Sequence, residues 1–215
     1  MSGAGRGAAR LYAAAGALFG LFALGLQLYL LFKIEMGKGG TALGAIVSFF
    51  SYFTILGNTL AVLAYAATLL GARRFFARPG VQTAIALYIV IVGIVYVLVL
   101  RPIWNPQGLA KLADVSLHYV TPALYFVYWL AFVDKSRLRY ADIPVWLIFP
   151  ALYAVYAVAR GLLTGIYTYP FLEVPMLGAV RVALNIVVLV AAFGAIGAIL
   201  VAAARALSRR AHGTA

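Results

Sequence analysis

Residues 179–204, AVRVALNIVVLVAAFGAIGAILVAAA, decide the fold class. After Arg181 the run carries no charge, and Asn185 is its one amide. As a helix it rises about 39 Å at 1.5 Å per residue, more than the roughly 30 Å of a bilayer's hydrocarbon. A helix on a soluble core keeps a polar face toward water, and this run has none. The chain around it is of the same kind. Of 215 residues 66% are hydrophobic and 10% charged, with a mean hydropathy of +1.03. Soluble domains carry about 25% charged residues. A water-soluble globule and a disordered tail are therefore excluded, because too little polar surface exists to cover so apolar a core.

Dividing the chain at its charge clusters and Gly/Pro loops predicts six spans, at 11–33, 50–71, 81–100, 117–133, 143–164 and 179–204. We expect one domain, 1–215, an all-α bundle of six transmembrane helices without internal repeat or linker. The first run follows Arg6 and Arg10, is too long for a signal peptide and has no cleavage site, so it reads as a retained helix. Gly16 and Gly20, four apart, offer a small-residue packing face of the kind common in such bundles. Residues 42–49 extend the second run beyond one span and are expected in the interface or as a re-entrant piece.

The net charge of +12 is explained by topology rather than by nucleic acid. Arg6, Arg10, Arg73, Arg74, Arg78, Lys135, Arg137, Arg139, Arg205, Arg209 and Arg210 fall on one side of the predicted bundle. Lys33, Lys38, Arg101, Lys111, Arg160 and Arg181 fall on the other. The positive-inside rule then puts both termini in the cytoplasm. On the opposite side, 101–116, with Pro102, Trp104 and Pro106, reads as an irregular amphipathic loop. Residues 167–178, with Tyr169, Pro170 and Pro175, read as a second loop at headgroup level.

Polar groups inside spans are costly and call for a reason. Counted from the cytoplasmic charge that ends each helix, Thr54 is 19 residues from Arg73, His118 is 16 from Asp134, Arg160 is 18 from Asp142 and Asn185 is 20 from Arg205. The corresponding heights are roughly 28, 24, 27 and 30 Å, which predicts one polar level in four helices. Thr54 and Asn58 share a helix face, with Ser51 expected on the same stripe. A threonine hydroxyl becomes a nucleophile when a base takes its proton, and His118 is the one intramembrane base suited to this, His212 lying in the polar tail. Asn58, Arg160, Asn185 and Ser51 are candidates to hold an oxyanion or a headgroup. Asp114 and Glu173 are candidates to orient the histidine, Asp114 being favoured at one helical turn before it.

Each of these residues has a plainer role as well. Threonine in a membrane helix usually bonds the carbonyl four residues back, asparagines glue helices together, and arginines near a span's end snorkel to headgroups. Other chemistries find no residues. The chain has no cysteine, no GxSxG or HExxH motif, no P-loop and no dinucleotide fingerprint. Two histidines, one of them in the tail, make neither a three-histidine zinc site nor a bis-histidine haem site. No cofactor and no metal is expected.

Three segments resemble a known family. Tyr52, Phe53, Thr54, Ile55, Leu56 and Asn58 are similar to the threonine motif of the androgen-induced protein and androgen-dependent TFPI-regulating protein family, six-span membrane threonine hydrolases. Gly165, Tyr167, Tyr169, Pro170, Leu172 and Glu173 resemble that family's loop after the fifth span. His118, Tyr119 and Pro122 resemble its histidine motif in the bacterial branch. The resemblance implies hydrolysis of fatty acid esters of hydroxy fatty acids, with Thr54 as nucleophile and His118 as base. The Ala, Gly, Arg and Val richness fits a GC-rich bacterial genome and hence a bacterial inner membrane. The expected partners are a membrane lipid or fatty acid ester substrate and the bilayer itself. The rival readings are a non-enzymatic lipid-binding or transport protein, and an assembly subunit whose polar residues only glue helices.

Overall fold

The computed structural model describes residues 3–71 and 75–213, and the side chains of 4–71 and 75–209. Arg73 and Arg74, and the side chains of Arg210 and His212, lie outside the described residues. All regular structure among the described residues is helical: α1 (Gly3–Gly37), α2 (Ala42–Phe50), α3 (Phe53–Leu69), α4 (Pro79–Val95), α5 (Gly108–Val115), α6 (Thr121–Phe132), α7 (Ile143–Thr164), α8 (Val174–Leu177) and α9 (Ala179–Gly213). A π-helical turn, Tyr96–Leu100, extends α4, and another, Ser116–Val120, joins α5 to α6. Five of these helical stretches are long and apolar enough to cross a membrane. There are six if α2 and α3, which meet at 80°, count as one broken span.

Three boundaries differ from the sequence reading. The stretch 50–71 does not begin as one helix. Ser51 closes α2, Tyr52 is extended at φ −94° and ψ 129°, and α3 starts at Phe53. Ser51 therefore belongs to the bend and shares no helix stripe with Thr54. The loop expected over 101–116 ends at Gln107. Gly108, at φ +58°, opens a helix that runs to Phe132, because no proline or glycine interrupts residues 109–121. Asp114 thus lies on a helix and not in a loop. The last helix continues past residue 204 to Gly213.

The chain divides into two compact units at Asp134 and Lys135. In the second unit α7 packs along α9, Arg205 lies 4.6 Å from the centre of the Tyr140 ring, and Gly165 in the left-handed conformation ends α7. Large apolar residues along it are exposed, among them Leu163 at 86% and Val180 at 77%, as a lipid-facing surface requires.

In the first unit α1 packs most extensively on α3, and α4 lies against α3 and α6. The α1–α3 contact uses the glycine pair. A Cβ on Gly16 would come 2.5 Å from the Tyr65 ring, and one on Gly20 would come 2.6 Å from Val62. Tyr65 has nowhere to retreat, since its fully buried ring packs edge-on against Tyr125 and Tyr128 at 5.3 and 5.0 Å. Tyr128 also belongs to a set of polar contacts that hydropathy does not reveal. Trp129 Nε1 donates to Thr83 Oγ1 at 2.9 Å, and the Thr68 and Tyr128 hydroxyls share a bond at 2.5 Å. We expect Gly16→Ala to destabilise the detergent-solubilised protein by about 1–3 kcal/mol through overpacking. Gly25→Ala, whose Cβ would meet nothing within 4 Å, should be neutral or slightly stabilising. Thermal unfolding of the two variants checks this, and equal midpoints would contradict it.

Candidate functional site

The site is built on two breaks in helical regularity. The first is the bend at Ser51–Tyr52, which makes Thr54 the second residue of α3. Its side chain, 7% exposed, therefore sits at the end of a 17-residue helix where the backbone dipole is positive and negative charge is favoured.

The second break follows from Pro122. Proline has no N–H, so it cannot serve the carbonyls of the preceding turn. The N–H of Thr121 reaches five residues back, to the Ser116 carbonyl, and the turn Ser116–Val120 widens to a π-turn. The Leu117 carbonyl then loses its ordinary donors: Thr121 is engaged with Ser116, and Pro122 has nothing to give. The missing donor comes from α3. Asn58 Nδ2 donates to the Leu117 carbonyl at 3.2 Å and to the Thr54 carbonyl at 2.8 Å, with the Asn58 side chain fully buried. One amide thus joins the backbone of the threonine segment to the backbone next to His118. The turn Tyr96–Leu100 has the same construction, with Arg101 N–H bonded to the Tyr96 carbonyl and Pro102 following.

These constraints bring Thr54 and His118 together. Thr54 Oγ1 lies 3.4 Å from His118 Nε2. On the other side of the ring, Nδ1 is 2.9 Å from the Asp114 carbonyl and 3.3 Å from Asp114 Oδ1. Both acceptors at Nδ1 favour a proton there, which leaves Nε2 as an acceptor facing the threonine hydroxyl. The histidine is further fixed by Tyr96. Its ring stacks on the imidazole at 4.1 Å between centres and 20° between planes, and its hydroxyl donates to Asp114 Oδ2. The Asp114 carboxylate is 8% exposed and the His118 side chain 14%. A Cβ on Gly93 would lie 3.3 Å from the His118 carbonyl, so glycine lets α4 approach this segment closely.

The remaining expected site residues have other occupations. Asn58 spends both amide hydrogens on carbonyls, and so it ties the two segments together instead of presenting a donor to an oxyanion. Its Oδ1 is buried without a partner. Ser51 Oγ donates to the Val47 carbonyl at 2.6 Å, which commits its proton to the end of α2. Arg160 and Asn185 belong to the second unit. Arg160 donates to the Ile166 carbonyl and Asn185 to the Phe171 carbonyl, each at 2.8 Å, so both hold the 165–178 segment. Glu173 also belongs to the second unit, at the start of α8, and the carboxylate beside His118 is that of Asp114. Tyr96 was missed in the sequence because a tyrosine in an apolar run counts as a hydrophobic residue. The signal that could have found it is a proline six residues after the first residue of each π-turn, Pro102 after Tyr96 as Pro122 after Ser116.

The arrangement holds a hydroxyl, an imidazole and a carboxylate in series, and it contains no group of three or more metal-ligating side chains among the described residues. If the Asn58 amide is the tie described, Asn58→Leu, which keeps the volume and removes both donors, should lower stability by about 1–3 kcal/mol. Thermal unfolding would detect this, and an unchanged midpoint would contradict it. Compared with known proteins, the chain matches no family model, no curated protein and no solved structure.

Proposed function

We propose that this protein is an integral membrane hydrolase of lipid esters, of the fatty acid ester of hydroxy fatty acid type. Thr54 is the nucleophile, His118 the general base and Asp114 the orienting acid. The observation that carries the reading is the series of contacts from Thr54 Oγ1 to His118 Nε2 and from His118 Nδ1 to Asp114. A structural threonine needs no base opposite its hydroxyl, and a histidine serving as interhelical glue needs no carboxylate behind it. The 3.4 Å separation suits a resting enzyme, in which such bonds are commonly long and tighten with substrate.

Thr54 Oγ1 attacks the ester carbonyl carbon while its proton passes to His118 Nε2. The carbon–oxygen bond to the alcohol then breaks, and the alcohol leaves with that proton, giving an acyl-threonine. Water loses a proton to His118 and attacks the acyl carbon. The acid departs and the threonine hydroxyl is restored. Asp114 stabilises the imidazolium formed in each half and holds its tautomer. The positive end of α3 favours the negative charge that develops beside Thr54.

The same reading takes the bundle as six spans, α2 and α3 forming one broken span, with both termini cytoplasmic and the chain in a bacterial inner membrane. It places the chain beside the androgen-induced protein family on the three motifs quoted above. Reporter fusions at Gly108 and Tyr169 should report the outer side and one at Ser136 the cytoplasm. An outward Ser136 would overturn the orientation.

The function is tested by turnover of lipid esters in purified, membrane-inserted protein. Thr54→Ala and His118→Ala should each abolish hydrolysis, and the double variant should be no worse than either, because residues acting as a unit are not additive. Thr54→Ser should retain activity. Turnover by Thr54→Ala would refute the threonine nucleophile, whereas none by folded wild type across chain lengths would refute the hydrolase and favour a carrier.

A further inference from the structure

Behind the Asp114 carboxylate lies a cavity of about 390 Å³, within the range of roughly 300–1,000 Å³ typical of small-ligand sites. It belongs wholly to the first unit. Tyr96 and Asp114 form the wall it shares with the histidine, and Trp104 and Val115 give it apolar surface. Arg101 and Lys111 bring two cations to the same space. Neither makes an ion pair or a hydrogen bond through its side chain among the described residues. The one acid in the wall does not answer them, since its two oxygens face the Tyr96 hydroxyl and the His118 ring. The cavity therefore combines an uncompensated pair of cations with aromatic and aliphatic walls, one residue layer from the proposed nucleophile's base.

We propose that this cavity is a headgroup subsite for a single-chain anionic amphiphile. Arg101 and Lys111 receive carboxylate or phosphate oxygens, and the chain begins against Trp104 and Val115. Arginine offers a planar fork for two such oxygens and lysine a point charge, which together suit a small oxyanion better than a neutral polar group. The identification of the occupant as substrate rests on the hydrolase reading; the binding itself does not.

Trp104 is the reporter. It is 58% exposed, whereas Trp129 and Trp146 are buried, and subtraction of the Trp104→Phe signal isolates it. The experiment uses full-length Thr54→Ala protein in phosphatidylcholine nanodiscs, so that binding is read without turnover. 5-Doxylstearate, with its quencher near the carboxylate, should quench Trp104 saturably, and its methyl ester should not exceed the background of bilayer partitioning. Oleate and oleyl phosphate should compete and oleyl alcohol should not, the tighter of the two anions naming the headgroup. Arg101→Gln and Lys111→Gln should each weaken binding by about tenfold, as expected for loss of one charge-assisted contact. Arg101→Lys should keep most of it. Equal quenching by the methyl ester, or affinity unchanged in both glutamine variants, would overturn the subsite. Absence of ester turnover by the folded wild type, with charge-dependent binding intact, would remove the hydrolase reading and leave the subsite standing.

Discussion

Everything at the site depends on one unmet backbone carbonyl. In a low-dielectric interior every peptide group must find a partner within the protein, because no water is present to take its place. Pro122 removes an N–H from the helix that carries His118, the preceding turn opens, and the Leu117 carbonyl is left for Asn58 to satisfy. The same side chain holds the Thr54 carbonyl. Two segments 59 residues apart in sequence are therefore locked by a single amide whose removal would strand a buried acceptor. The contact between hydroxyl and imidazole is a consequence of that lock.

The lock also explains why the site tolerates irregular helices. A π-turn shifts the residues that follow it and re-aims side chains that a regular helix would carry elsewhere, and such turns recur at functional positions. Here one π-turn contains His118 and the other begins at Tyr96, whose ring stacks on the imidazole. The stacked ring and the carboxylate behind Nδ1 leave the histidine one working face, and Thr54 occupies it. The bend between α2 and α3 adds the helix start beneath the threonine. The geometry is thus set by hydrogen bonds and ring contacts within the protein itself.

Helical content and apolar spans were legible because hydropathy reports burial in lipid directly. Thr54 and His118 were legible because polar groups are rare in such runs, and depth from the flanking charges put them at about one height; Asp114 was legible from its spacing, one helical turn before the histidine. Asp114 falls in the stretch 101–116 that reads as a loop; a continuous helix from Gly108 instead carries it one turn before His118. The break at Ser51–Tyr52 was not legible, since neither glycine nor proline marks it and Tyr52 alone turns extended. Asn58, Arg160 and Asn185 show the converse limit. An amide or guanidinium inside a span signals that a partner exists without saying whether it is a ligand or a stranded carbonyl, and in all three the carbonyl is what the structure provides.

The central claim is that the Thr54 hydroxyl is activated by His118. Its most direct test is peptide mass spectrometry of membrane-inserted protein treated with a lipid-chain fluorophosphonate. The account predicts a phosphonyl adduct on Thr54 in the wild type and none in His118→Ala. An adduct on another residue, or equal labelling of Thr54 without the histidine, would contradict it.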